Sequence, residues 1–203
     1  MSRLPASPTL DELLGVLETD GAALVMDADD VLPQATDWLG FITVSDLNRH
    51  FFRSLLYVAL ADFEVGLADL IQASGFDDKS WLGALNENSQ AHVLGYWELA
   101  RRQGVDTGPL TACTLTELSR IAEAQKEVLR AMGFSSKNQY GKHSGSLPQL
   151  RNAVMHPVRP MVFDKAGVAD IHEKLRLIDE VLVNVNAFLS AERATERDSP
   201  VLA

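Results

Sequence analysis

The chain contains a single cysteine, Cys113, among its 203 residues. One cysteine excludes an intrachain disulfide and any cysteine-cluster metal site, and it favours a reducing compartment. No apolar run approaches the roughly 18 residues that a membrane span requires, and the first residues lack the basic and then apolar pattern of a signal peptide. The sequence therefore predicts a cytoplasmic protein that does not enter a membrane.

Acidic residues are absent from one long internal segment. Between Ser135 and Phe163 there is no Asp or Glu. The segment carries four cations, which are Lys137, Lys142, Arg151 and Arg159. The formal net charge of the chain is −10, so this segment carries +4 and the rest of the chain carries −14. Local positive charge in an acidic protein predicts a small anion site, most commonly for phosphate, and the acidic total argues against a broad surface that coats nucleic acid.

A short helix is predicted within this segment, between Ser146 and Pro157. One side of it holds four apolar residues, which are Leu147, Leu150, Val154 and Met155. Pro148 suits a first helical turn, and Pro157 disfavours helical geometry at the preceding residue, so His156 is expected at or just past the helix end. Arg151 and His156 lie about 140° apart around such a helix, so both can reach one pocket.

The first fifty residues alternate between short helices and strands. A helix is predicted at residues 9–18, strands at 22–26 and 39–44, and a polar loop at 27–37. Ser45 or Asp46 can cap a short helix that follows the second strand. The predicted order is helix, strand, loop, strand, helix.

The rest of the chain is predicted to be helical. Long helices are expected at 54–73, at 79–103 with a break near 86–90, at 114–132 with a Thr114–Glu117 capping box, and at 168–191. Residues 134–145 read as a loop rich in Ser, Gly, Asn and Lys, and residues after 192 as a disordered tail. His172 and Arg176, one turn apart, are expected on an exposed face.

Residues 1–52 resemble a single cystathionine-β-synthase-type (CBS) motif. The stretch Gly-Phe-Ile-Thr-Val-Ser-Asp, from Gly40 to Asp46, matches the family pattern of Gly, two apolar residues, Thr or Ser, two residues and Asp. The resemblance implies binding of an adenine nucleotide effector by Gly40, Thr43, Ser45 and Asp46. A second subunit would complete the site, because only one copy is present and the family usually has two. The alternative is that Thr43, Ser45 and Asp46 only end a strand and cap a helix.

Residues 53–192 resemble the HEPN superfamily of small helical bundles, with four long helices and a short motif helix. The family signature is an Arg, four to six residues and a His, and Arg151-Asn152-Ala-Val-Met-His156 matches it with a gap of four. The resemblance implies a homodimer that cuts RNA without a metal and leaves a 2′,3′-cyclic phosphate. Arg151, Asn152 and His156 would be its catalytic residues.

Four further residues are candidates for contacts to the RNA backbone, and they are Lys137, Lys142, His143 and Arg159. The alternatives are that these are ordinary solvated side chains, that Arg151 pairs with a carboxylate of another helix, and that His156 caps the helix C-terminus. No pair of His residues has zinc spacing, so no metal site and no required cofactor are predicted.

The sequence thus predicts a mainly α protein with a small N-terminal α/β unit at 1–52, a helical bundle at 53–192 and a tail at 193–203. The predicted function is a metal-independent endoribonuclease whose activity an adenine nucleotide regulates, in a toxin or defence role by analogy. The alternatives are a non-catalytic dimeric module that senses nucleotide or binds RNA or protein, and a structural helical adaptor without a ligand.

Overall fold

A computed structural model describes residues 2–26, 38–105 and 107–198. Within them helices predominate, and a small sheet lies near the N-terminus. The predicted mainly α class with a small N-terminal α/β part is therefore confirmed. The loop predicted at 27–37 lies outside the described residues.

The strands are β1 Ser2–Pro5, β2 Ala22–Met26 and β3 Trp38–Thr43. The helices are α1 Leu10–Asp20, α2 His50–Ala73, α3 Asp78–Leu82, α4 Glu87–Arg102, α5 Leu115–Ala124, α6 Lys126–Ala131, α7 Lys137–Ser144, α8 Leu147–Met155 and α9 Lys165–Asp198. Short 3-10 helices occupy Val44–Asn48 and Pro109–Ala112.

Two compact units make up the chain. The first comprises Met1–Ala59 and Gln149–Arg176, and the second comprises Leu60–Pro148 and Leu177–Ala203. This division groups segments that are distant in sequence, whereas the division predicted from the sequence falls after residue 52.

The first unit is built on the sheet, in the order β1-β2-β3. β1 runs parallel to β2, with Ser2 opposite Ala23, and β2 runs antiparallel to β3, with Leu24 opposite Phe41. Local sequence patterns do not predict β1, since its four residues carry no alternation that distinguishes a strand from an extended terminus. The strand predicted at 39–44 is present one residue earlier, at Trp38–Thr43.

α1 connects the two parallel strands of this sheet. Thr9 precedes it and forms a capping box, in which the Thr9 N–H donates to Glu12 Oε2 at 2.8 Å and the Glu12 N–H donates to Thr9 Oγ1 at 3.2 Å. The helix ends at Gly21, whose φ of 77° is a left-handed conformation that glycine adopts without strain. Leu14 and Leu17 are fully buried, so this helix packs its apolar side into the core of the first unit.

An ion-pair cluster joins α1 to α9 in the first unit. His172 is buried, and its Nδ1 and Nε2 lie 2.9 Å from Glu18 Oε2 and 2.8 Å from Asp11 Oδ1. Arg176 Nε donates to the same Asp11 Oδ1 at 2.9 Å. Each ring nitrogen of His172 thus faces a carboxylate oxygen of α1. The prediction of an exposed His172 is wrong, because helix periodicity alone does not reveal that α1 covers this face.

We expect this cluster to make the stability of the protein sensitive to acid. Hydrogen bonds from Arg176 and His172 lower the pKa of Asp11 from 3.8 to about 2. Asp11 is thus more acidic in the folded protein. Its contribution to the free energy of unfolding is complete above the pKa that it has in the unfolded chain, and it is lost as the pH falls through its pKa in the folded protein. The difference in free energy of unfolding between wild type and Asp11→Asn should therefore shrink from about pH 5 to pH 2 in urea titrations. A difference independent of pH would contradict this assignment.

The second unit is helical and uses a second capping box. Thr114 N–H and Oγ1 donate to Glu117 Oε2 at 2.7 Å and 2.9 Å, as the sequence predicts, and Gly133 ends the following segment with a φ of 94°. The helix predicted at 114–132 is nevertheless interrupted at Gln125, whose φ and ψ of −121° and 110° are extended. Apolar spacing continues through this point, so periodicity carries no signal of the break.

Two further boundaries differ from the predictions. Residues 83–86 separate α3 from α4, with Asn86 capping α4 by accepting from the Ser89 N–H at 2.9 Å. The break therefore begins three residues before the predicted range and overlaps it only at Asn86. α9 continues through Asp198, so residues 193–198 are helical where a disordered tail was predicted, and residues 199–203 lie outside the described part of the chain.

Candidate functional site

α8 positions the Arg and His of the predicted motif. The helix spans Leu147–Met155, with Pro148 in its first turn and Leu147, Leu150 and Val154 buried. Met155 was predicted to share this buried side, but it is 45% exposed. At 100° per residue, Met155 lies about 140° around the helix axis from Leu150, so its side chain falls outside the buried face.

His156 is the first residue after α8, as Pro157 predicts. Its N–H still donates to the Asn152 carbonyl at 3.1 Å, and its own carbonyl accepts from the Arg159 N–H at 3.1 Å. The His156 and Asn152 side chains are exposed, and Arg151 is half-buried on the same helix. The imidazole of His156 is therefore exposed to solvent, while the N–H and the carbonyl of the same residue are both hydrogen-bonded.

Arg53 holds the C-terminal end of α8. Its guanidinium group is almost completely buried, with the residue only 4% exposed. One terminal nitrogen donates to the carbonyls of Ala153 at 2.5 Å and Val154 at 3.4 Å, and the other donates to the carbonyl of Arg159. The last carbonyls of a helix have no partner within the helix, and a cation is favourable at that negative end of the dipole. Arg53 therefore joins the end of α8 to the segment that carries His156.

Asn48 fixes the far end of the same segment. Its Oδ1 accepts from the N–H groups of Met161 at 2.6 Å and Val162 at 3.0 Å, and its Nδ2 donates to the Val162 carbonyl at 2.7 Å. The Arg53 Nε donates to the Asn48 carbonyl at 3.2 Å, which links the two anchors. No local pattern in the sequence marks either residue, because their partners in this segment are 100 or more positions away.

A groove of about 400 Å³ lies beside His156 in the first unit. Both chain neighbours of the histidine, Met155 and Pro157, line it. The opposite wall belongs to α2 and is formed by His50, Ser54, Tyr57 and Val58. Tyr57 and Val58 are each at least half exposed, as is Val158 just after the motif. The surface next to the motif is thus unusually apolar for a face that water reaches.

The four residues predicted to contact phosphate fall in two places. Arg159 lies in the His156 segment with an exposed side chain, whereas Lys137, Lys142 and His143 belong to α7 in the second unit. The prediction of a loop at 134–145 is wrong for Lys137–Ser144. Ser136 caps this helix by accepting from the Gln139 N–H at 3.2 Å. Tyr140 and Ser144, one turn apart, are buried, and the Tyr140 ring packs edge-on against Phe134 with centroids 5.1 Å apart.

The residues predicted to bind a nucleotide surround the end of β3. Thr43 N–H and Oγ1 both donate to Asp46 Oδ2 at 2.9 Å, and Asp46 Oδ1 lies 2.9 Å from Arg49 Nε. Thr43, and neither Ser45 nor Asp46, is therefore the cap of the 3-10 helix. Both oxygens of Asp46 already have partners within the chain. Arg49, which is not among the residues predicted to bind the nucleotide, is exposed beside them.

A second groove, of about 410 Å³, lies next to this cap. Gly40, Asp46 and Arg49 line it together with apolar side chains that include Phe41 and Phe51. A side chain at Gly40 would meet open space, so glycine is not required there by crowding within the chain. Gly40 and Asp46 of the predicted set thus face one cavity.

Among the described residues, no three or more His, Cys, Asp or Glu side chains are grouped so as to hold a metal ion. The same part of the chain has no helix both long enough and apolar enough to cross a bilayer. Burial raises the pKa of the Cys113 thiol to about 12, which suits a structural rather than a nucleophilic cysteine.

Comparison with known protein families, with characterised proteins and with solved structures gave no match.

Proposed function

We propose that the chain is a metal-independent endoribonuclease of the HEPN type, with its active site formed across a homodimer. The observation that supports this most is the arrangement at the end of α8. Arg151 and Asn152 lie on α8, the exposed His156 directly follows its last residue, and Arg53 and Asn48 hold the backbone that follows. A fixed backbone with displayed polar side chains is what a catalytic site requires.

The residue types suit cleavage of a phosphodiester by the ribose 2′-hydroxyl. This reaction needs a group that exchanges a proton and positive charge on the pentacovalent phosphate. Histidine accepts or donates a proton near neutral pH, and His156 would act on the 2′-hydroxyl or on the leaving 5′-oxygen. The guanidinium of Arg151 would hold two phosphate oxygens, and the amide of Asn152 would orient the phosphate or the histidine. The product would be a 2′,3′-cyclic phosphate.

A second copy of the chain would supply the other proton-transfer group. Only one histidine of the motif is available per chain, whereas the reaction uses both a base and an acid. The apolar groove next to His156 and the exposed Tyr57, Val58 and Met155 support a partner subunit on this face, because exposed apolar patches mark interaction surfaces. A two-fold axis there would bring two copies of the motif together.

The test uses purified protein and end-labelled single-stranded RNA in EDTA, with wild type and His156→Ala compared side by side. We expect wild type alone to cut the RNA and to leave cyclic phosphate ends. Intact RNA in both samples, across several RNAs and with adenine nucleotides added, would contradict the proposal. Cleavage that depends on added metal would contradict its mechanism.

Adenine nucleotide binding at the N-terminal unit is part of the same proposal. The strand, helix, strand, strand and 3-10 helix order of the first unit, and the groove that Gly40 and Asp46 line, support it. Arg49 would contact the phosphates. AMP, ADP or ATP should then raise the melting temperature by mass action, and Arg49→Gln should reduce this rise. No rise with any nucleotide would leave the unit a structural element, and equal rises in wild type and Arg49→Gln would show that Arg49 does not contact the bound nucleotide.

A non-catalytic dimeric module that binds RNA or protein is the second candidate. The apolar character of the groove beside His156 favours it, since a protein partner fits such a surface as well as a second subunit does. An inactive wild type that binds RNA with the same affinity as His156→Ala would support this candidate.

A further inference from the structure

A cavity of about 460 Å³ lies in the second unit, away from the motif in sequence. The end of α5, α6 and the start of α7 form its walls. Its polar lining consists of Glu123, Lys126, Arg130, Ser135, Ser136 and Lys137. Among these residues only Lys137 is a phosphate contact predicted from the sequence. The break at Gln125 and the unpredicted α7 bring the others together with it.

The cavity has an excess of positive charge. Three cations and one carboxylate line it, and Lys137 Nζ lies 3.2 Å from Glu123 Oε2. Glu123 thus compensates one of the three cations. Lys126 and Arg130 are four residues apart on α6, so they share one face of that helix, where like charges repel. An anion within the cavity would relieve this repulsion.

The donors of the cavity match a phosphate group. An Arg guanidinium binds two phosphate oxygens at once, and Lys ammonium groups contribute compact charge. The Ser136 Oγ accepts from the Gln139 N–H at 3.2 Å, which leaves its hydroxyl proton to be donated. A lining with a net charge of +2 suits a phosphate monoester, which carries nearly two negative charges at neutral pH, better than a phosphodiester, which carries one.

We infer that this cavity is a binding site for a phosphate monoester dianion, with Lys126, Arg130 and Lys137 as its charged contacts. Inorganic phosphate and the 5′-terminal phosphate of an RNA chain share this chemistry. The site does not depend on RNA cleavage, and it binds its ligand whether or not the motif on α8 is active. In the empty cavity Glu123 holds Lys137, and a bound phosphate competes for that cation.

Isothermal titration with inorganic phosphate at constant ionic strength tests the site. The variants are a double substitution, Lys126→Gln with Arg130→Gln, and a matched control, Arg193→Gln, whose exposed side chain lies on α9. Wild type and the control should bind with equal affinity, and the double variant should bind at least about tenfold more weakly. No saturable binding by wild type, or equal binding by the double variant, overturns the inference.

A variant with the opposite expected effect keeps the test independent of folding. Glu123→Gln removes the carboxylate that competes for Lys137, so it should tighten phosphate binding severalfold. Unchanged or weaker binding by Glu123→Gln would overturn the assignment of Lys137.

The ligand source is separated with two RNA oligonucleotides of one sequence, both 2′-O-methylated so that they resist cleavage. One carries a 5′-phosphate and the other a 5′-hydroxyl. Preference for the phosphorylated form, lost in the double variant, identifies an RNA terminus as the ligand. Equal binding of both oligonucleotides, with saturable binding of inorganic phosphate, identifies the free ion.

Discussion

Replacement of His156 by alanine is expected to lower the rate of RNA cleavage by about a hundred- to ten-thousandfold. The structure places this imidazole outside the helix and exposed, so its loss removes a proton-transfer group without opening a cavity in the core. The unfolding midpoint in urea should therefore stay near that of wild type. The measurement is the single-turnover rate with excess enzyme, which separates chemistry from product release.

His92→Ala is the matched control for this experiment. Its side chain is about half exposed on α4 in the second unit, where Nδ1 lies 3.2 Å from Glu117 Oε1. We expect it to retain the wild-type cleavage rate. An equal loss of rate in His92→Ala and His156→Ala would indicate a general effect of removing a histidine, and it would contradict a catalytic role for His156.

Local signals in the sequence determined much of the fold. The Thr9–Glu12 and Thr114–Glu117 capping boxes mark helix starts, and the left-handed glycines Gly21 and Gly133 mark helix ends. These signals act between residues three or four positions apart, so they can be recognised without knowledge of the tertiary structure.

Elements that depend on distant contacts were not predictable in this way. α7 is too polar to show a helical pattern, and it is stabilised by the burial of Tyr140 and Ser144. Local sequence predicts that His172 is exposed, but in the structure it is buried against Asp11 and Glu18 of α1. In both cases tertiary packing decides what the local sequence leaves open.

In the candidate site, too, some features follow from local sequence and others depend on distant contacts. The position of His156 followed from Pro157, a neighbour in sequence. The anchors Arg53 and Asn48 act on a segment 100 or more residues later, through backbone carbonyls and N–H groups that carry no side-chain signature. A buried arginine surrounded by carbonyls is visible only in three dimensions.

Arg53→Met is expected to produce the largest loss of stability among the substitutions considered. Methionine fills a similar volume but donates no hydrogen bond, so the carbonyls of Ala153, Val154 and Arg159 lose a shared donor. A buried polar group without a partner costs about 1–3 kcal/mol. The expected decrease in the free energy of unfolding is therefore on the order of 3–5 kcal/mol, measured from urea titrations.

Arg49→Met provides the comparison, because Arg49 is four residues earlier and its side chain is 79% exposed in an ion pair with Asp46. A surface pair of this kind contributes about 0–1 kcal/mol, so Arg49→Met should lower the free energy of unfolding much less than Arg53→Met does.

The milder Arg53→Lys keeps the positive charge but cannot bridge three carbonyls, and it should speed amide hydrogen exchange at Arg159, Met161 and Val162. Arg53→Met with wild-type stability, or Arg53→Lys with unchanged exchange in this segment, would show that Arg53 does not hold the backbone around His156.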